Sequence, residues 1–190
     1  MATLLNAPAG SLAAPAHLTP RERVALARAP TKRPGTRVTV RAYDIPWLPG
    51  KAEHMFVEYD DGRERLIARG GPSHLGDALS GNLRVVAGVT PARESRDDGQ
   101  GGRVLHSGFL PDVAATDAAA RARTHAAQLA RDNRSYSARS NSNSFAADVA
   151  EDLFGVRPGD RLTPGYDRRL KDAPRVRPYD ISPAMRGPGG

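Results

Sequence analysis

The chain has 190 residues, no cysteine and a formal net charge of +7. This length suits one domain whose core is stable without disulfide cross-links or a structural metal. The lack of cysteine excludes disulfides, thiolate metal sites and a cysteine nucleophile. No apolar run approaches the roughly 18 residues of a membrane span, and the first residues lack the basic-then-apolar pattern of a signal peptide. We therefore expect a soluble protein, either in the bacterial cytoplasm or delivered by a secretion route that needs no conventional signal peptide.

The positive charge comes almost entirely from arginine, because only Lys32, Lys51 and Lys171 among the 28 cationic residues are lysines. The arginines are scattered along the chain without interleaved aromatic residues. This pattern disfavours a nucleic-acid-binding surface and indicates a bias of the overall composition toward arginine. The basic balance does suit an anionic substrate.

Composition divides the chain into three parts. Residues 1–35 are rich in Ala and Pro and predict a flexible leader, and residues 171–190 predict an extended tail. A compact unit over residues 36–170 remains. Five segments in its first part have strand character, among them "TRVTVRAYD" and "EHMFVEYDDGRERLIAR", whose Asp61-Gly62 pair predicts a hairpin turn.

Helices are expected in the second part of this unit. An alanine-rich helix should run from near Asp112 to near Asn133, and a second should open in the Asn-Ser run at residues 141–144 and end at Gly155. Ser144 or Asn143 is the expected N-cap, since each precedes an apolar stripe that begins at Phe145. The predicted fold is α+β, with a four- or five-stranded, mostly antiparallel sheet and helices packed on one side.

Few residues are candidates for chemistry. No two of the five histidines share a metal-ligand spacing and no glycine loop of phosphate-binding type occurs, so we expect no metal and no cofactor.

His54 lies in the strand "EHMFVEY", on the face opposite Met55, and on its own is most simply read as a surface or hydrogen-bonded histidine. Ser142 is most simply read as part of a helix cap, although a helix N-terminus also favours a developing oxyanion.

The combination is more informative than either residue. A histidine opening the strand "HMFVEY", followed much later by a "Y....N(S)N.F" run that starts an amphipathic helix, resembles the circularly permuted branch of the papain-like NlpC/P60 hydrolases. That branch includes the PPPDE peptidases and the lecithin retinol acyltransferase-like proteins. The resemblance covers roughly residues 37–157 and implies a permuted papain-like fold.

The resemblance also implies roles for individual residues. His54 matches the family base, and Ser142 falls where the family has a cysteine nucleophile in an Asn-Cys-Asn type motif. Tyr136 stands where such proteins often place a tyrosine near the oxyanion site. The residues matching the motif around the nucleophile are Asn141, Asn143 and Phe145. The group that orients the histidine is not given by any motif, and the candidates for it are Glu64, His74 and Glu58.

Serine in place of cysteine is a serious departure, because a hydroxyl must lose its proton during attack and depends more on its base than a thiol does. Three readings stay open: a serine-dependent amidase, peptidase, esterase or acyltransferase, an inactive member that binds a ligand, or a scaffold. The first would act on cell-wall peptides, isopeptides or lipids. An inactive fold would serve as a binding module or a secreted effector or toxin, with a protein partner such as an immunity protein.

Overall fold

A computed structural model describes residues 34–46, 49–73 and 83–176 of the chain. The leader up to residue 33, the tail from residue 177 and His74 lie outside the described residues. Packed residues continue past the expected boundary at 170, since Ala173 is buried and the amide of Val176 donates to the carbonyl of Asn133 at 2.8 Å.

Five antiparallel strands form one sheet in the described part of the chain, in the order β4-β3-β2-β1-β5. All five strand candidates of the sequence, within the expected count of four or five, are strands in the structure. Their bounds are β1 Gly35–Asp44, β2 Glu53–Asp60, β3 Arg65–Pro72, β4 Val85–Pro91 and β5 Arg103–Pro111.

The turn between β2 and β3 follows the hairpin expectation. Asp61 Oδ1 accepts hydrogen bonds from the amides of Arg63 and Glu64, both at 2.8 Å, and Gly62 takes a positive φ of 84°. The turn therefore closes through an aspartate side chain followed by a glycine, as the Asp-Gly pair predicts.

Helices follow the strands. The single alanine-rich helix that the sequence predicts is divided, with a short α1 at Ala115–Ala118 and a longer α2 at Ala120–Asp132. The last helix, α3, spans Ser142–Phe154 and ends at Gly155, which takes the left-handed conformation (φ 70°) expected of a terminating glycine. No helix in the described ranges is long and apolar enough to cross a membrane.

The helices and one face of the sheet enclose the main core. Met55, Val57 and Tyr59 point into it from β2, opposite Phe145 and Val149 of α3, and all five are fully buried. On the other face a smaller apolar cluster forms around Phe56 and Ile67. The expected α+β class, with an antiparallel sheet, is confirmed.

The connection from β4 to β5 determines what covers this second face. Because β4 and β5 are the two edge strands, residues 92–102 must pass across β3, β2 and β1 to join them. Asp98 makes an ion pair with Arg65 of β3 at 3.0 Å, and Gly102 lies against the carbonyl of Ala42 in β1. We call residues 92–102 the crossing loop.

Candidate functional site

Ser142 and His54 meet although 88 positions separate them in the chain. The hydroxyl oxygen of Ser142 lies 2.9 Å from Nδ1 of His54, and both residues are buried. Ser142 is the first residue of α3, whereas His54 stands near the start of β2. A hydroxyl and an imidazole at this distance have the geometry of a nucleophile and its base.

The second ring nitrogen of His54 faces a carboxylate. Asp97 Oδ2 lies 3.4 Å from Nε2, and the Asp97 side chain is completely buried. With a proton on Nε2 the ring donates toward Asp97, and the lone pair of Nδ1 is then available to accept from Ser142. Serine, histidine and aspartate thus lie in the order of a catalytic triad.

Asp97 sits on the crossing loop and contacts each of the three strands beneath it. Besides His54 of β2, it accepts a hydrogen bond from the Tyr43 hydroxyl of β1 at 2.9 Å and lies 2.8 Å from Nε of Arg69 in β3. The Arg69 contact is a charge pair without hydrogen-bond alignment, because Nε has no hydrogen-bond partner of acceptable geometry. The loop is therefore anchored where it passes the histidine.

The charges around Asp97 keep it ionised. Burial opposes the charged form, but the hydrogen bond with His54 and the charges of His54 and Arg69 outweigh it, so the pKa of Asp97 lies below its usual value. Burial and the contact with Asp97 raise the pKa of Tyr43 to about 12, so this phenol stays protonated and donates. An ionised Asp97 can stabilise a positive charge that develops on His54.

The first turn of α3 reaches His54 through a gap between β2 and β3. Pairing of these strands stops at Phe56 opposite Arg69. Beyond this point Asn143 Oδ1 accepts from the amide of Met55 at 2.8 Å, and Asn143 Nδ2 donates to the carbonyl of Glu53 at 3.0 Å. The side-chain amide thereby takes the place of a strand neighbour and ties the helix to the strand that carries the histidine.

The glycine at position 70 permits this approach. A β-carbon on Gly70 would lie 3.2 Å from the α-carbon of Ser142 and 3.2 Å from the β-carbon of Phe145. Both distances are tighter than ordinary carbon contacts, so β3 can pass the helix start closely only without a side chain at Gly70.

The helix cap differs from the expectation, because Asn141 is the N-cap and neither Ser144 nor Asn143 is. Asn141 Oδ1 accepts from the amide of Asn143 at 2.9 Å. The Asn141 side chain also accepts from the amide of Ser144, whose Oγ accepts from the amide of Asn141 at 3.3 Å, and this reciprocal pair is a capping box. Ser142 is therefore inside the first turn rather than ahead of it. The cap engages Asn143 and Ser144, whereas the Ser142 hydroxyl faces His54.

A cavity of about 350 Å³ opens over Ser142 and His54, within the roughly 300–1,000 Å³ usual for small-molecule sites. Tyr136 also lines this cavity. Its backbone amide donates to the carbonyl of Leu83 at 2.8 Å, just before β4, and this bond holds the residue at the cavity. Burial raises the pKa of the Tyr136 phenol, while the nearby Ser142 hydroxyl acts in the opposite direction. Tyr136 is thus a protonated donor beside the Ser142 hydroxyl.

The other predicted residues lie elsewhere. Glu64 is exposed in the turn at the far end of β2, and Glu58 pairs with Arg41 and Arg65, so neither is the group that faces His54. Phe145 points into the core beneath the site.

Sequence reasoning missed Asp97. The only signal for it was its position in a polar, glycine-rich loop between two strands. Nothing local indicates that this loop crosses the sheet.

A second cavity, of about 260 Å³, lies between α2 and α3. His125 Nε2 lies 2.7 Å from Asp152 Oδ2 in its lining, and none of the described residues that line it is a serine. This partly exposed histidine-aspartate pair gives a control for the buried pair at the site.

Comparison with known proteins adds no relative. No family model, no curated protein and no solved structure matches this chain. The functional interpretation therefore depends on the geometry of the site.

Proposed function

We propose that this protein is a serine-dependent hydrolase or acyltransferase that cleaves an amide or ester bond. The observation that carries the proposal is the 2.9 Å distance between Ser142 Oγ and His54 Nδ1, two residues that line one cavity, with Asp97 on the other side of the imidazole. An ordinary capped helix start requires neither the contact of Ser142 with His54, nor the contact of His54 with Asp97, nor a cavity beside them. Their combination is what acyl transfer by a serine requires.

In the first step His54 Nδ1 takes the proton of the Ser142 hydroxyl as the oxygen attacks the substrate carbonyl. Asn143 Oδ1 is a second acceptor for this hydroxyl at 3.4 Å, but His54 is nearer and is the only base of the two. The imidazolium that forms is stabilised by Asp97 at Nε2. Breakdown of the tetrahedral intermediate returns the proton to the leaving amine or alcohol and leaves an acyl group on Ser142.

The oxyanion of the intermediate needs donors near Ser142. The backbone amides of the first turn of α3 have no intrahelical acceptors, and the positive end of the helix dipole lies at the same place. The amides of Asn143 and Ser144 are used by the cap, which leaves the amide of Ser142 as the backbone donor. The Tyr136 phenol, beside Ser142 in the cavity, is the side-chain donor.

Release of the acyl group repeats these steps with another nucleophile. A water molecule gives its proton to His54 and attacks the acyl-serine, which yields a hydrolase. A substrate amine or alcohol in place of water yields an acyltransferase.

Chain order supports a permuted papain-like fold for this enzyme. The base on a strand precedes the nucleophile at a helix start, as in the families that the Asn-Ser-Asn-x-Phe run resembles. The serine is consistent with catalysis because a buried, ionised Asp97 strengthens the base on which a hydroxyl depends.

Labelling with a fluorophosphonate tests the proposal. Wild-type protein should be labelled at Ser142, and Ser142→Ala and His54→Ala should both lose the label. Ser107→Ala, at an exposed serine of β5, and His125→Ala, at the histidine paired with Asp152, should keep it. Absence of label from folded wild-type protein would favour an inactive fold that binds a ligand.

A further inference from the structure

Two guanidinium groups converge beside Ser142 in the cavity. A β-carbon on Gly71 would lie 3.8 Å from Nη2 of Arg96 and 3.9 Å from Nη2 of Arg69. The two nitrogens are therefore at most about 8 Å apart, a span that the oxygens of one carboxylate or phosphate bridge with two charge-assisted hydrogen bonds. Arg69, Arg96, Gly71 and Ser142 all line the same cavity.

The described lining of this cavity contains two cationic residues and no carboxylate. Arg69 has its Nε against Asp97, which is buried behind the lining. Arg96 is exposed, and no carboxylate of the described residues lies within ion-pair distance of it. Its backbone is held by Gln100, whose Nε2 donates to the Arg96 carbonyl at 3.1 Å. The crossing loop thus presents a cation to the cavity that nothing described neutralises.

Both charges act at the place where the reacting carbonyl would bind. Burial raises the pKa of the Tyr136 phenol, and the positive charges of Arg69 and Arg96 act against that effect. Tyr136 is the donor that we place at the oxyanion, so an anionic group near it experiences the same field.

We infer that the substrate carries a carboxylate or phosphate group close to the scissile carbonyl, and that Arg96 and Arg69 bind this group. The inference rests on the proposed function, because it assigns a substrate class to the same serine. Arginine suits the task, since its planar fork matches both anions and stays charged at every working pH. Arg96 is the residue to alter, because Arg69 also contacts Asp97.

Two esters of equal acyl length measure the preference. We expect mono-p-nitrophenyl succinate to be hydrolysed with a kcat/KM about tenfold above that of p-nitrophenyl butyrate, and the ratio to fall as salt is added. Arg96→Gln should bring the ratio close to one, and Arg96→Glu should bring it below one. Arg93→Gln, one turn away and exposed beside Glu94, should keep the wild-type ratio.

A binding measurement separates this inference from the proposed function. Succinate and inorganic phosphate are titrated into Ser142→Ala while nuclear magnetic resonance follows the amides of the site, with and without Arg96→Gln. We expect saturable shifts that Arg96→Gln abolishes, and the tighter of the two anions identifies the preferred group. If no ester is turned over, the proposed function fails, and anion binding lost in Arg96→Gln still supports the anion site that Arg96 and Arg69 form, without its role beside a scissile carbonyl. Equal ester rates in the wild type, or anion binding unchanged by Arg96→Gln, would overturn it.

Discussion

The side-chain amide of Asn143 hydrogen-bonds Met55 as a neighbouring strand would. Its Oδ1 accepts from the Met55 amide at 2.8 Å, and its Nδ2 donates to the carbonyls of Glu53 and Pro164 at 3.0 and 3.1 Å. Asn143 follows the serine in α3, and His54 stands between Glu53 and Met55 in β2. These bonds consequently hold the nucleophile and the base in register.

Asn143→Ala should therefore lower both stability and reactivity. The substitution leaves a buried amide and a buried carbonyl without this partner, so we expect a loss of about 2–4 kcal/mol in the free energy of unfolding. Urea unfolding measures this loss, and fluorophosphonate labelling should slow in the protein that remains folded. Gln128→Ala removes an exposed amide of α2 and should change stability by less than about 0.5 kcal/mol. Equal effects of the two substitutions would contradict this role for Asn143.

Gly70→Ala should disturb the dyad through backbone contact alone. The new β-carbon would meet Ser142 and Phe145 at 3.2 Å, and these contacts involve the helix start and the core, which cannot move freely. We expect a loss of about 1–3 kcal/mol in stability and slower acylation of Ser142. Gly88→Ala, in the adjacent strand β4, meets nothing within 4 Å and should leave the labelling rate unchanged. Acylation of Gly70→Ala at the wild-type rate would show that the close approach does not position Ser142.

Asp97→Asn tests the orienting group that the crossing loop supplies. The amide keeps the shape of the side chain but removes the charge that stabilises the protonated His54, so acyl transfer should fall by about 10²–10⁴-fold. Steady-state hydrolysis of a p-nitrophenyl ester measures the change. Asp98→Asn, at the next residue, loses only its ion pair with Arg65 and serves as the control. A similar effect of both substitutions would mean that Asp97 supports the loop rather than the histidine.

The charge of Asp97 should also make stability depend on pH. Its pKa in the folded protein lies below the value of about 3.9 for an unfolded chain, so near pH 4 the unfolded chain binds more protons. The stabilisation is complete above the unfolded pKa and is lost as the pH falls through the folded pKa. The difference in unfolding free energy between wild type and Asp97→Asn should therefore be smaller at pH 3 than at pH 5. Urea titrations at the two pH values measure it, and a constant difference would contradict the assignment.

Local features of the sequence predict most of the elements. Alternation of apolar and polar residues predicts β1, short apolar segments indicate the other strands, Asp61-Gly62 predicts the hairpin, and the stripe from Phe145 with Gly155 predicts the last helix. These features succeed because neighbouring residues decide turn geometry, capping and which side of an element is buried. Tertiary packing changed details at the ends, where Asn141 rather than Ser144 caps α3 and the alanine-rich helix is divided.

His54 and Ser142 are predictable as a pair only from the family resemblance, because no spacing rule joins residues so far apart in the chain. Asp97 is not predictable at all from the sequence. Its place depends on β4 and β5 being opposite edges of the sheet, which sends their connection across the face that carries His54. Local sequence decides which residues form strands and helices, but the order of strands in a sheet depends on long-range pairing. That pairing brings Asp97, His54 and Ser142 together.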